Sequence, residues 1–402
     1  MKILHVTPHY EPAFELGGIV RSISQLCREL ARLNIDVTVF TTNNNRYENF
    51  RHYPLNQETV VNGVKVWFFD TKLFNRKFLY SPELGRACYE KMQQFDILHL
   101  TSFWCYPGIP AGKAARNSGI PYILSPRGTL VPYCLNNGWL KKKFYLNLFE
   151  KKNISAASAV HYTTELERET THGHNRLINP SFVVPNPVDI ENLTSLPSKE
   201  EARKYLDLPQ DAKVISFVGR LNRRKALDVL VQSFAGVAPQ LDNNCCLLMA
   251  GHDDGYGIRL QKLVKKKGLA NKVRFMGFVD AKKRGFILRA SDLFWFATYP
   301  GENFGHAAVE AMAAGIPVLF SENVGISEDA VQNEAGIVVN LNPDEIVKKV
   351  MGLLSDKEKL NSISMNAQQL IFKYDATKIT PLMLTAYEDV LRGSRSPELR
   401  WR

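Results

Sequence analysis

Short apolar runs rich in β-branched residues recur along the chain, and no other feature restricts its possible folds so strongly. In the first half they are Ile3–Val6, Val37–Thr42, Val64–Phe69, Ile97–Leu100, Tyr122–Ser125, Ala159–Thr163 and Phe182–Val184. In the second half they are Val214–Val218, Cys246–Ala250, Val273–Met276, Leu293–Phe296, Val318–Phe320 and Gly336–Val339. Runs that are apolar throughout, rather than alternating with polar residues, mark strands covered on both faces. Helical patterns separate them. After Gly17-Gly18, residues Ile19, Ile23, Leu26, Leu30 and Leu33 share one helical face, with Arg21, Arg28, Glu29 and Arg32 outside it. This alternation predicts an α/β fold with parallel, doubly wound sheets. A length of 402 residues calls for two such domains rather than one. The aperiodic segment from Asn186 to Pro197 contains prolines and is the best linker candidate, so the first domain is expected to span residues 1–190.

Several classes of function are excluded early. The formal net charge is +11, concentrated at Lys141-Lys142-Lys143, Lys151-Lys152, Arg223-Arg224-Lys225 and Lys265-Lys266-Lys267. Aromatic residues are not interleaved with these charges as a single-strand binder needs, and no nucleic-acid module is visible. The six cysteines form no C-x-x-C pair and no zinc spacing with histidines, and no D-x-D triplet is present. No metal site and no cofactor are therefore expected. No run is long and apolar enough to cross a bilayer and the N-terminus lacks a leader pattern, so a cytoplasmic location is expected.

In open α/β sheets ligands bind beyond the carboxyl ends of strands, which directs attention to four loops. The loop from Thr7 to Gly18 places Gly17-Gly18 at a helix start, where backbone N–H groups and the helix dipole favour an anion. A tight loop with a glycine hinge explains the pair equally well. At Val218-Gly219-Arg220, a buried strand ends in an arginine, and Lys225 follows five residues on. A guanidinium fork and a mobile ammonium make a natural diphosphate clamp, although a solvated basic turn is the plain alternative. In Gly301-Glu302-Asn303-Phe304-Gly305, the glycines turn the chain into a helix that carries Glu310. Glu302 and Glu310 can then reach different hydroxyls of one ligand, since carboxylates accept from vicinal hydroxyls. The small residues after Glu310 imply close packing, where a carboxylate without a partner is costly. Finally, Arg127 lies in the polar turn Ser125-Pro126-Arg127-Gly128, where an arginine is usually a surface residue. His5, His99 and His161 read as strand residues satisfied locally.

At these residues the sequence resembles glycosyltransferase family 4, of the GT-B type, over essentially its whole length. The carriers are Gly17-Gly18 after the first strand, Gly219-Arg220-Leu221 with Lys225 and Asp228, and Glu302-Asn303-Phe304-Gly305 through Glu310. The resemblance implies two Rossmann-like domains facing a cleft. The second (191–379) would bind the donor, and the last helix (about 380–402) would return to the first. It implies a retaining, metal-independent transfer of a hexose from a UDP- or GDP-sugar. Arg220 and Lys225 would hold the diphosphate, and Glu310 the ribose hydroxyls. Glu302 and the N–H groups of Asn303, Phe304 and Gly305 would hold the donor hexose. Glu302, Arg220 and Lys225 would thus be the catalytic set. Relatives often carry a histidine where this chain has Arg127, which is offered here as a donor contact.

The acceptor implied is a glycan or a lipid-linked hydroxyl, in assembly of a surface polysaccharide or glycolipid. The basic, aromatic stretch 140–152 then suggests peripheral contact with anionic lipid on the inner face of the plasma membrane, with a solvated helix face as the alternative. Two further functions remain open on the sequence: a nucleotide-sugar epimerase of the same fold, and a non-catalytic sugar-nucleotide binding protein.

Overall fold

The computed structural model describes residues 1–45, 48–72, 77–101, 103–136, 139–175, 179–190, 193, 196–242, 244–299 and 301–393. The chain forms two compact units: Met1–Val188 together with the segment beginning at Ala376, and Asp189–Asp375.

In the first unit an eight-stranded sheet is ordered β3-β4-β2-β1-β5-β6-β7-β8. The strands are β1 (Lys2–Val6), β2 (Asp36–Thr42), β3 (Glu58–Val61), β4 (Val64–Phe69), β5 (Ile97–Leu100), β6 (Tyr122–Leu124), β7 (Ala159–Tyr162) and β8 (Ser181–Val183). All neighbours are parallel except β3, which runs antiparallel to β4 at the edge. The apolar runs did not signal β3, because Glu58–Val61 is half exposed. Its local signal was Asn62-Gly63, both at positive φ, the pair that closes a two-residue hairpin. The two faces of this sheet build separate cores. Ile3, Val37, Val39 and Val64 pack on one side with Ile23, Leu26 and Leu30 of the helix Gly18–Arg32. Leu4, Val6 and Phe40 pack on the other with Leu84, Cys88, Ala111 and Ala115 of the helices Pro82–Lys91 and Gly108–Ser118.

The helix Ala376–Leu391 belongs to this first unit and adds Ile379, Met383, Ala386, Tyr387 and Val390 to its core. Its first residue donates to the Val188 carbonyl at 2.9 Å. Residues 394–402 of the expected last helix lie outside the described residues. The helix also carries a polar anchor. Tyr387 is wholly buried, and its hydroxyl lies 2.7 Å from His99 Nδ1 and 3.1 Å from His5 Nε2. His161 Nε2 lies 2.8 Å from the Val184 carbonyl. The histidine partners are thus largely distant in sequence, not local as expected.

In the second unit a six-stranded, wholly parallel sheet is ordered β11-β10-β9-β12-β13-β14. The strands are β9 (Lys213–Val218), β10 (Cys245–Ala250), β11 (Val273–Gly277), β12 (Leu293–Phe296), β13 (Val318–Phe320) and β14 (Ile337–Val338). A buried charge cluster supports its base: Asp292 accepts from Val214 N at 2.7 Å and pairs with Arg203 Nη2 at 2.9 Å. At the opposite edge β9 and β10 leave the sheet together. A Cβ at Gly251 would sit 1.8 Å from the Gly219 carbonyl oxygen, so only glycine fits there. Every apolar run read as a strand is found as one.

Burial sets the titration of the first unit. Desolvation, reinforced by the field of Arg127, depresses His5 and His161 to about 3. Burial and the facing His5, His161 and Arg127 put His99 well below its usual value. These rings are neutral in the folded chain, whereas the unfolded chain takes up protons below about pH 6.5. Stability should therefore be full above that pH and decline progressively as pH falls from about 6.5 towards 3. Urea midpoints should be lower at pH 5 than at pH 7.5, and the carbon-bound ring protons of these histidines should not shift between them. Titration of any of them near pH 6.5 in the folded protein would contradict this account.

Candidate functional site

The most concentrated polar chemistry in the second unit lies beyond β9 and β12, which are paired neighbours in the sheet. After β9 the chain bridges Leu221 to Asp253, makes a 3₁₀ turn over Arg223–Lys225, and enters the helix Leu227–Val237. Leu221, Ala226 and Leu227 are buried and pin the turn from below. Its charged side chains are left on the outer side. Arg220 Nη1 meets Asp254 at 3.3 Å and is the more exposed of the candidate cations. Arg224 Nη2 donates to the Gly301 carbonyl at 2.9 Å, and Arg224 O accepts from Tyr299 N at 2.8 Å. The Lys225 ammonium forms an ion pair with the Glu302 carboxylate and sits 5.0 Å from the centre of the Phe296 ring.

The Glu302 loop is held from its other side. Glu302 N donates to Asn323 O at 2.9 Å, and Gly325 N donates to Glu302 O at 3.0 Å. Gly305, at φ 99°, caps the helix His306–Ala313 without a side chain. A Cβ there would come within 3.0 Å of Phe296 and 3.2 Å of Val324, besides the strained φ, so glycine is required. The Gly305 carbonyl accepts from Ala308 N at 2.9 Å and Val309 N at 3.1 Å and so closes the first turn. Desolvation is the largest influence on Glu302 and favours its neutral form, but Lys225, Arg224 and Arg220 together outweigh it and hold the carboxyl below its usual range. The group is therefore an anion at neutral pH, a pure acceptor for hydroxyl donors.

Glu310 lies in the second turn of the same helix and is buried. The close packing around it does supply a counter-ion: Arg284 Nε is 3.0 Å from Glu310 Oε2. Sequence reasoning missed Arg284, which sits in Lys282-Lys283-Arg284 and looks there like part of a solvated basic face. The one available signal was the need of Glu310 for a partner. Arg224, which the sequence shows only as one member of a basic run, ties that turn to Gly301. Phe304 is 3% exposed and packs edge-on against Tyr374. Its ring is an anchor, which leaves only its backbone for a ligand. Asp228 accepts from the Tyr299 hydroxyl at 3.0 Å and braces the two loops. Asp253 Oδ1 accepts from Gly255 N, Tyr256 N and Gly257 N, capping the helix Gly257–Lys266. Among the described residues no cluster of three or more acidic, histidine or cysteine groups could hold a metal ion.

The remaining candidates belong to the first unit. Gly17, at φ 105°, caps the helix Gly18–Arg32 without a side chain, and a Cβ there would meet nothing within 4 Å. Glu11 steadies this loop by accepting from Arg28 Nε at 3.3 Å and from Asn62 Nδ2 at 3.1 Å. Arg127 is not a surface residue. It is 7% exposed, at φ 51°, with Nη1 donating to Asn186 Oδ1. Burial lowers its pKa to about 10, against the raising field of the buried Glu167. Glu167 also accepts from Gly128 N and Thr163 N, so the turn is locked into the core.

Comparison with known proteins places this geometry. The family described as Glycosyltransferase Family 4 matches residues 16–192, and that described as Glycosyl transferases group 1 matches residues 198–370. A D-inositol 3-phosphate glycosyltransferase 2 from Catenulispora acidiphila is 32% identical over 433 aligned positions, covering 99% of this chain and 96% of the relative. A D-inositol 3-phosphate glycosyltransferase from Streptomyces avermitilis is 26% identical, over 90% of this chain and 81% of the relative. Among solved structures, sucrose-phosphate synthase from Thermosynechococcus elongatus superposes with a TM-score of 0.78 at 20% identity, covering 98% and 100% of the two chains. HepE from Anabaena, solved with UDP and glucose, superposes with a TM-score of 0.77 at 18% identity, covering 97% and 100%. These structural likenesses show a GT-B fold. With the site built on the paired ends of β9 and β12 and sequence relatives that span its whole length, the chain belongs to glycosyltransferase family 4 and is a glycosyltransferase.

Proposed function

We propose that the chain transfers a hexose, with retention of anomeric configuration and without a metal ion, from a UDP- or GDP-linked donor to a hydroxyl of a glycan or lipid-linked acceptor. The observation that carries this reading is the convergence of Arg220, Arg224 and Lys225 on the Glu302 loop. Cations beside a strand end suit a diphosphate, and they stabilise the charge that grows as the nucleotide departs. In this reading Arg220 and Lys225 hold the diphosphate. Glu302, with the backbone N–H groups of Asn303, Phe304 and Gly305, holds the sugar, and Glu310 holds the ribose. Glu302 is the counter-ion of Lys225. A bound diphosphate would take over that ammonium and free the carboxylate for sugar hydroxyls. The departing β-phosphate is the base that accepts the acceptor's proton. In the first unit taken by itself, Gly17-Gly18 offers a helix N-terminus and Arg127 a buried guanidinium as candidate anion contacts. HepE was solved with UDP-glucose, which makes UDP-glucose the first donor to try.

The stretch 140–152 is proposed to rest on anionic lipid at the inner face of the plasma membrane, with the chain otherwise in the cytoplasm. Leu140, Phe144 and Leu148, four residues apart, are 67%, 68% and 50% exposed, and Lys143, Lys151 and Lys152 are exposed beside them. Lys142 is turned inward instead, over the Trp104 ring and onto the Cys134 carbonyl. Among the described residues no helix is long and apolar enough to cross a membrane.

Two outcomes test these readings. Lys225→Ala or Glu302→Ala should lower the transfer rate by roughly 10²–10³, while EDTA leaves the wild-type rate unchanged. Transfer at the wild-type rate by either variant would remove that residue from the mechanism. The wild type should sediment with phosphatidylglycerol vesicles, and Leu140→Ser with Phe144→Ser should weaken this about tenfold or more. A wild type that stays in the supernatant at low salt refutes the membrane contact.

A further inference from the structure

We propose that Arg284 is the positioning residue that gives the nucleotide site its preference for ribose over deoxyribose. The inference rests on the proposed role of Glu310 as the ligand of the ribose hydroxyls, and it assigns the selectivity of that contact to a residue on a different helix. Arg284 lies on the helix Ala281–Ala290, whose first turn is capped by Asp280 accepting from Lys283 N at 2.7 Å. The next residue, Gly285, is packed so closely that a Cβ would stand 2.7 Å from Leu196. The helix is thus closely packed beside Arg284.

The contact itself is specific. Arg284 approaches Glu310 Oε2 through Nε at 3.0 Å, and both side chains are largely buried, 14% and 9% exposed. A buried carboxylate without a cation tends to bind a proton, and it would then present an O–H of its own. Ribose hydroxyls that donate need an acceptor-only partner. An ion pair to one oxygen opposes that protonation. Carboxylate oxygens are the acceptors that a vicinal diol requires. Loss of Arg284 should therefore cost hydroxyl recognition more than diphosphate binding, because Arg220 and Lys225 lie on a different segment, the loop after β9.

The test compares affinities of the intact protein for UDP, 2′-deoxy-UDP and 3′-deoxy-UDP by calorimetry, with the GDP series in parallel. The wild type should prefer the ribonucleotide by about tenfold or more. Arg284→Gln should cut that preference to about threefold or less by weakening the ribonucleotide, with deoxynucleotide affinity kept. Arg284→Lys, which keeps the charge but not the shape, should recover part of the preference. It also serves as the test if Arg284→Gln does not fold. If Glu310→Gln abolishes the preference while the folded Arg284 variants keep it, the inference falls and the reading of Glu310 stands. If Glu310→Gln leaves the preference intact, or neither nucleotide series binds the wild type, that reading falls and the inference with it.

Discussion

The parallel pairing of β9 with β12 is the constraint on which the site depends. In a wholly parallel sheet every strand delivers its following loop to the same edge, and every following helix begins there. Two loops whose key residues are 77 positions apart thereby become neighbours, and Lys225 meets Glu302 across them. The same pairing lets Arg224 bond to Gly301 and Tyr299 to Asp228, so the two loops brace each other. Strand pairing thus supplies the pre-organisation on which electrostatic stabilisation of a departing group relies.

Buried and half-buried charge is handled differently in different parts of the molecule. Asp292 with Arg203 satisfies backbone at the foot of the second sheet. Arg127 and Glu167 lock a turn of the first unit, where burial and the opposing field leave the guanidinium charged at neutral pH. The histidines beneath Tyr387 avoid charge altogether, and they convert the docking of the last helix from a purely apolar contact into one with a defined register. At the candidate site the ion pairs are of another kind. Lys225–Glu302 and Arg284–Glu310 each set a carboxylate against a cation beside the ends of β9 and β12 or on the helix that follows.

Much of this was legible beforehand. Runs of Val, Ile, Leu and Phe identified strands because burial on both faces leaves no room for polar alternation. Glycines 301 and 305 identified a turn into a helix, and Glu310 betrayed a partner by its small neighbours. Other features were invisible for a definite reason. The edge strand β3 is half exposed and so lacks the run that marks buried strands. Arg127 looked like a surface turn residue because nothing local announces that Asn186 and Glu167 close over it.

The sequence by itself determined the α/β class, the strand and helix pattern, and the chemical kinds of group available at the ends of β9 and β12. Local periodicity and turn chemistry are encoded within a few residues, so they can be read there. Only the tertiary structure decided which groups meet. It paired Lys225 with Glu302, gave Glu310 its cation from Arg284, turned Phe304 into an anchor and set Tyr387 on the histidines. Each of these contacts joins segments brought together by sheet order and helix packing, whose energies are spread over whole cores and leave no mark at the residues they align.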